Sequence, residues 1–324
     1  MAKEGACVLH ASFFIVFNIL QLNKRAIVHT SAMSVASGIA EFLLRLSGAS
    51  REISEKSFYK LMRRKAIKWK RGERSAPRFC GVKVEREVYC GMPYFVFVPP
   101  EVDTAKCVMY LHGSGYVNNY RRAQVRLAAE IAENTHAKVY FPLYVKLPFC
   151  TVLPCFALLN NYFAFLRKRG VVCLAGDSSG AALALSLAAE HRSVRSVVAI
   201  SPWLRLPVGE EGRKVKSDKM LSFSKLDFAA RLWREGVTEE DVRVSPIFGE
   251  YAGKKILLFA GEKEIFRPDV MAFFREKSSR GATVTYVEGR GQQHCYPLMQ
   301  TPEGRAARRS IFKKIRMDLY GEGP

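Results

Sequence analysis

From residue 83 onward the chain alternates between short apolar runs and longer amphipathic ones. Apolar and β-branched runs near 83–89, 93–98, 106–111, 137–141, 171–175, 196–200, 255–260 and 283–288 predict strands. Segments with helical spacing near 121–134, 155–168, 179–190, 224–234, 269–279 and 304–318 predict helices. An initial hairpin-like pair followed by strands alternating with helices predicts an α/β fold, with a mostly parallel central sheet flanked by helices. Upstream the pattern differs. Residues 6–22 are apolar without a formal charge, a milder apolar helix is expected over 29–47, and a basic amphipathic helix over 54–69.

Against that frame, one pentapeptide carries chemistry. Gly176-Asp177-Ser178-Ser179-Gly180 reads G-x-S-x-G between the apolar run 171–175 and the helical run 181–189. Strand, sharp turn and helix expose a serine as a nucleophile, and the helix start directs backbone N–H groups at developing negative charge. A serine hydroxyl is a poor nucleophile until a base takes its proton. His294, on the loop after the last predicted strand, is the candidate base. Glu264, just past the strand 255–260, is the candidate acid that orients the imidazole, with Glu262 and Asp269 as competitors. Asp269 also suits the start of the helix near Val270. The order serine, acid, histidine is that of the hydrolase architecture with a strand–turn–helix nucleophile.

Upstream, a buried-type strand runs into His112-Gly113-Ser114-Gly115. Acyl transfer needs donors where a carbonyl oxygen becomes an oxyanion. The backbone N–H groups of Gly113, Ser114 and Ser179 are assigned that role, with His112, Gly115 and Asp177 as the supporting loop. His112 is expected to brace this loop; His136 and His191 read as surface or capping residues.

These residues resemble the hormone-sensitive-lipase-like branch of the α/β-hydrolases, which includes bacterial esterases, arylacetamide deacetylases and fungal steryl acetyl hydrolases. The family's H-G-G-G is matched by residues 112–115, its G-D-S-A-G-G by 176–181, its acid motif by Glu264 to Asp269, and its late histidine by His294. Departures are Ser114 for the middle glycine, Ala181 for the last one, and glutamate for the commoner aspartate. The resemblance covers roughly residues 83–319. It implies an α/β-hydrolase fold with a helical cap, and a serine carboxylic-ester hydrolase acting on a hydrophobic or lipid-like ester through an acyl-enzyme, with no cofactor. A steryl acetate deacetylase is the alternative within that class; a non-catalytic binder on the same scaffold is the alternative outside it. Three segments follow: apolar helices over 1–50, a basic cap segment over 51–80, and a catalytic domain over 81–324 with a cap excursion near 203–235.

Charge and cysteine refine this picture. The formal net charge is +21, of which Arg51 to Arg78 holds +8. Such a surface suits anionic lipid. No zinc spacing, RNP-like strand or basic heptad appears, so a membrane surface is the expected partner and nucleic acid is not. The eight cysteines lack metal-type spacing, so no metal is expected. Cys107 and Cys173 read as core; Cys80 with Cys90, or Cys150 with Cys155, are spaced to bridge; Cys295 is expected to point away from His294. At seventeen residues, 6–22 meets the lower length for a membrane span, while a helix packed on the fold and a signal peptide stay open. The resulting expectation is membrane association at the endoplasmic reticulum through an N-terminal anchor. Oligomeric state is not read from the sequence.

Overall fold

The computed structural model describes residues 25–30, 32–72, 76–79, 81–102 and 106–321. Its strands are β1 (Arg25–His29), β2 (Lys83–Tyr89), β3 (Met92–Val98), β4 (Cys107–Leu111), β5 (Lys138–Pro142), β6 (Val171–Asp177), β7 (Ser196–Ile200), β8 (Lys255–Gly261) and β9 (Thr283–Gly289). They form one sheet in the order β1-β9-β8-β7-β6-β4-β5-β3-β2. Only β3 pairs antiparallel, with β2 and with β5; every other pair is parallel.

The principal helices are α1 (Val35–Ser47), α2 (Glu55–Gly72), α3 (Arg122–Thr135), α4 (Val152–Arg167), α5 (Ser178–Glu190), α6 (Phe223–Trp233), α7 (Arg267–Ser279) and α8 (Pro302–Tyr320). The apolar strand runs are continuous because both faces are covered. Along β4, Val108 and Tyr110 enter the core beneath α3 and α8, while Cys107, Met109 and Leu111 enter the core beneath α4, α5 and α7. From Ser179 to Ala188 every residue of α5 is buried, so the helix that begins at Ser178 is held on all sides.

The sequence pattern misplaces one stretch. Residues 29–47 do not form one helix: Arg25–His29 is an edge strand, paired parallel to β9 with Ile27 opposite Tyr286, and α1 starts only at Val35. A five-residue strand has too few positions for a period to show, and its partner lies far along the chain. Ser34 sets the start of α1 by accepting the Ser37 N–H, and Gly48, at φ 62°, ends it.

α1, α2 and α6 together line one cavity at the carboxyl ends of the strands. Glu52 fixes α6 to the N-terminal segment: its carboxylate accepts the N–H groups of Phe223 (2.9 Å) and Ser224 (2.7 Å) and the Ser222 hydroxyl (2.9 Å). Lys225 donates to the Ala49 carbonyl at 2.7 Å, and the rings of Phe58 and Phe228 lie 5.4 Å apart. The apolar face of the basic helix is therefore turned inward, with Phe58 and Met62 in the core.

The expected membrane placement is corrected. Among the described residues no helix is long and apolar enough to cross a membrane. The milder apolar stretch after residue 25 is divided between β1 and the 13-residue α1, about 20 Å of helix at 1.5 Å per residue, short of a hydrocarbon core of about 30 Å. The candidate span 6–22 lies outside the described residues, as do Cys7 and Cys80. Cys90, Cys150 and Cys155 are free thiols, and Cys107 and Cys173 are buried in their strands.

Candidate active site

Four parallel strands end at one rim: β4 before His112, β6 before Ser178, β8 before Glu264, and β9 before His294. Ligands of open α/β sheets collect at such carboxyl ends. Ser178 sits at φ 52°, a left-handed conformation that costs a non-glycine residue of order 1–3 kcal/mol and lifts its side chain out of the turn. The turn closes because Gly180 has no side chain: a Cβ there would lie 2.1 Å from the Leu111 carbonyl oxygen. At the neighbouring edge, a Cβ on Gly261 would lie 2.5 Å from the Gln292 carbonyl oxygen, so that glycine lets the histidine loop cross the end of β8.

The three residues predicted to act together are brought together. Ser178 Oγ lies 3.0 Å from His294 Nε2, and His294 Nδ1 lies 3.0 Å from Glu264 Oε2. Glu264 is fully buried and His294 nearly so. The competing acids are engaged elsewhere: Glu262 accepts the Gly291 N–H at 2.6 Å, and Asp269 pairs with Arg205 at 3.4 Å.

Burial raises the Glu264 carboxyl, opposed by its hydrogen bond from His294. For His294, burial opposes the imidazolium, but the adjoining Cys295 sulfur and the Glu264 carboxylate outweigh it, and the ring titrates well above the ordinary histidine range. Of these influences the carboxylate is the one carrying charge near neutrality, because burial pushes the Cys295 thiol up.

The glycine-rich loop is tied to the nucleophile turn. Asp177 Oδ1 accepts the Gly113 N–H (2.9 Å) and the Tyr110 hydroxyl (2.8 Å), and Oδ2 accepts from Gln124 Nε2 (2.7 Å). Burial raises this carboxyl against those donors. His112 braces the loop from below: its ring stacks on Tyr144 at 4.7 Å and on Phe141 at 5.4 Å, and burial holds it well below the ordinary histidine range, hence neutral.

Gly113, predicted as an oxyanion donor, thus gives its N–H to Asp177. The two loop N–H groups that converge on one point are those of Ser114 (2.9 Å) and Gly115 (3.0 Å), and the atom they meet is Ser179 Oγ. Gly115 was expected only as loop support. Its φ of 55° is a left-handed conformation that glycine adopts freely, and it turns the chain that follows the loop.

Several residues at the site carry no recognisable sequence signal. Asp218 accepts the N–H groups of Met220 and Leu221, and its second oxygen takes the Ile265 N–H at 3.0 Å, fastening the cap excursion to the acid loop. Gln293 accepts the Lys219 N–H at 2.8 Å, fastening the same excursion to the histidine loop. Cys295 does not point away: at φ 55° its backbone turns the thiol to 3.4 Å from His294 Nε2. An Asx turn at Asp218 is a local pattern, but its partner 47 residues away is not.

Above these groups lies a cavity of about 560 Å³. Leu43 and Leu44 of α1, Phe58 and Leu61 of α2, and Leu226 of α6 wall it on the cap side, with Leu298 beside the histidine loop. Ser178, His294 and the loop 113–115 form its floor. Among the described residues no group of histidine, cysteine and carboxylate side chains is arranged to hold a metal ion.

Comparison with known proteins agrees with this architecture. Residues 108–298, more than half of the chain, match the family model described as the alpha/beta hydrolase fold. The chain is similar to LipR of Mycobacterium tuberculosis, with 25% identity over 261 residues, covering 74% of this chain and 82% of that protein. It is also similar to an acetyl-hydrolase of Streptomyces hygroscopicus, with 25% identity over 230 residues, covering 65% and 75%. Among solved structures, an esterase from the bacterial hormone-sensitive lipase family superposes with a TM-score of 0.76 at 19% identity, over 89% of this chain and all of that one.

Proposed function

The chain belongs to the alpha/beta hydrolase family, and from that premise we propose its reaction: it is a serine carboxylic-ester hydrolase acting on hydrophobic esters. In this reading Ser178 Oγ attacks the ester carbonyl while His294 Nε2 takes the hydroxyl proton. The new C–O bond leaves a tetrahedral oxyanion, held by the N–H groups of Ser114, Gly115 and Ser179. His294 then protonates the departing alcohol, and the acyl group remains on Ser178. A water molecule, deprotonated by His294, repeats the attack, releases the carboxylic acid and restores the serine. Glu264 keeps Nδ1 protonated and compensates the imidazolium throughout.

The observation that carries this reading is the continuous chain Ser178 Oγ, His294 Nε2, His294 Nδ1, Glu264 Oε2, with 3.0 Å at each contact. A binder on the same scaffold has no use for all three groups at hydrogen-bond distance. The apolar walls of the cavity favour a hydrophobic ester. Ser114 lines the floor of that cavity where the family has a glycine, and we take it to favour a small acyl group such as acetyl on a larger hydrophobic alcohol. The printed name of the Streptomyces relative is in keeping with that preference. We also take α1, α2 and the excursion 203–235 as parts of one cap over the catalytic domain.

The test compares p-nitrophenyl acetate, butyrate and laurate with purified wild type and Ser178→Ala. Turnover by wild type alone, fastest on the short acyl groups, supports the reading. Equal turnover by both proteins removes Ser178 from its role, and preference for laurate removes the acyl-size argument.

A further inference from the structure

Ser179 has a hydroxyl that the proposed reaction does not use, and its surroundings fix what that hydroxyl does. Its oxygen accepts two backbone N–H groups, from Ser114 at 2.9 Å and Gly115 at 3.0 Å. Backbone N–H groups only donate and carbonyls only accept, so the directions of the neighbouring contacts follow. Tyr144 donates its hydroxyl proton to the His112 carbonyl at 2.6 Å. The Tyr144 oxygen is then the acceptor for the Ser114 hydroxyl, 3.2 Å away. The Ser114 oxygen receives the Tyr116 N–H at 3.0 Å, and its remaining acceptor position faces Ser179 Oγ at 3.4 Å. The Ser179 proton has the Ser114 and Tyr144 oxygens as its acceptors, and the Ser179 oxygen is taken by the two loop N–H groups. Ser179 is fully buried, and the network closes without solvent.

Resting on the proposed reaction, we infer that the Ser179 hydroxyl is a built-in occupant of the oxyanion site, which an ester must displace before Ser178 can be acylated. The two N–H groups that hold it are those available to a tetrahedral oxyanion, since the Gly113 N–H is committed to Asp177. In this inference the displacement is a rotation about the Cα–Cβ bond of Ser179 to another staggered position. That rotation frees both N–H groups at once. The position before the nucleophile loop and the position after the nucleophile cooperate: Ser114 is the acceptor that keeps Ser179 in place. The device raises the barrier of every acylation by the same displacement cost.

The test measures acylation by the p-nitrophenyl acetate burst and by the rate of inactivation with a fluorophosphonate, in wild type, Ser179→Ala, Ser114→Gly and the double variant. Thermal unfolding and circular dichroism confirm that each is folded. Ser179→Ala is expected to raise the acylation rate about tenfold, because one retained hydroxyl with two donors is replaced by exchangeable water. Ser114→Gly is expected to raise it about threefold, and the double variant no further than Ser179→Ala, because both act on one obstruction. Binding of methylboronic acid, which forms an anionic tetrahedral adduct on the serine, should tighten in parallel. A change within twofold in Ser179→Ala, or a fall, overturns the inference; a fall would make the hydroxyl a donor to the oxyanion. The underlying reaction is tested separately. Wild type that hydrolyses esters with an unresponsive Ser179→Ala loses only the occupant. If neither protein turns over ester or reacts with the probe, both proposals fall.

Discussion

The two sides of the Ser178 hydroxyl are prepared differently. On one side the proton path is assembled, with hydroxyl, imidazole and carboxylate in sequence at 3.0 Å. On the other side the anion site is built but filled, its two loop N–H groups already bonded to the neighbouring serine. On the proposed reading, a site can be ready for proton transfer and still set an entry cost for the charge that the transfer creates. Both sides rest on the same scaffold of strand ends, so the difference lies in single side chains and not in the fold.

The largest effect is expected on the assembled side. Ser178→Ala should lower kcat by roughly 10⁵–10⁶, as loss of a triad nucleophile does, with KM for p-nitrophenyl butyrate changed little. Residual turnover near the wild-type rate would break the comparison at its centre. Next comes Glu264→Gln, expected to cost about 10³–10⁴ in kcat. Asp269→Ala should cost far less, because Asp269 is bound to Arg205.

The same variant predicts a pH effect of definite sign. His294 acts as a base only when neutral, and the carboxylate holds its titration above the usual histidine range. Wild-type kcat/KM should therefore rise with pH through an apparent pKa above 6.5. Removing the carboxylate charge should move that limb to lower pH. A limb that stays in place in Glu264→Gln would mean that the acid does not set the imidazole.

A smaller loss probes the support of the filled side. Asp177→Asn removes one acceptor from the cluster that takes the Gly113 N–H, the Tyr110 hydroxyl and Gln124. It should lower kcat about tenfold, in line with a buried hydrogen-bond loss of about 1–3 kcal/mol. An intact rate with intact stability would show that the loop needs no such anchor.

The smallest effect lies outside both sides. Glu52→Ala should destabilise the protein by about 1 kcal/mol by uncapping α6, with little change in activity per folded molecule. Burial works against the Glu52 carboxylate, but the Ser224, Ser222 and Phe223 donors outweigh it and lower its titration. That stabilisation is complete above the unfolded value near 4.5 and is lost as pH falls through the lowered one. Urea denaturation of both proteins at pH 7 and pH 3.5 measures it: a difference unchanged at low pH would contradict the sign.

What could be read from the chain follows from the range over which each signal acts. The strand 196–200 falls where its apolar run places it, because a buried strand writes its pattern locally. The nucleophile turn was legible for the same reason: its glycines and serine are contiguous. β1 was not, because its strand character comes from pairing with residues 284–288. Glu264 was legible as an acid past a strand end, but its separation from Glu262 rests on which of the two carboxylates faces the ring. The role of Ser179 was hidden because its meaning depends on N–H groups 64 and 65 residues earlier. The apolar character of residues 29–47 reads as a single helix, whereas Arg25–His29 is an edge strand and the helix starts at Val35, its Leu43 and Leu44 walling the cavity.

The central claim, that Ser178 is the atom acylated by substrate, is tested most directly by treating the protein with a fluorophosphonate and locating the adduct by peptide mass spectrometry. The account predicts one adduct on the peptide containing Ser178 in wild type, none in Ser178→Ala, and much slower labelling in His294→Ala. An adduct that persists in Ser178→Ala, or wild-type ester turnover with Ser178 unmodified and activity undiminished, would contradict it.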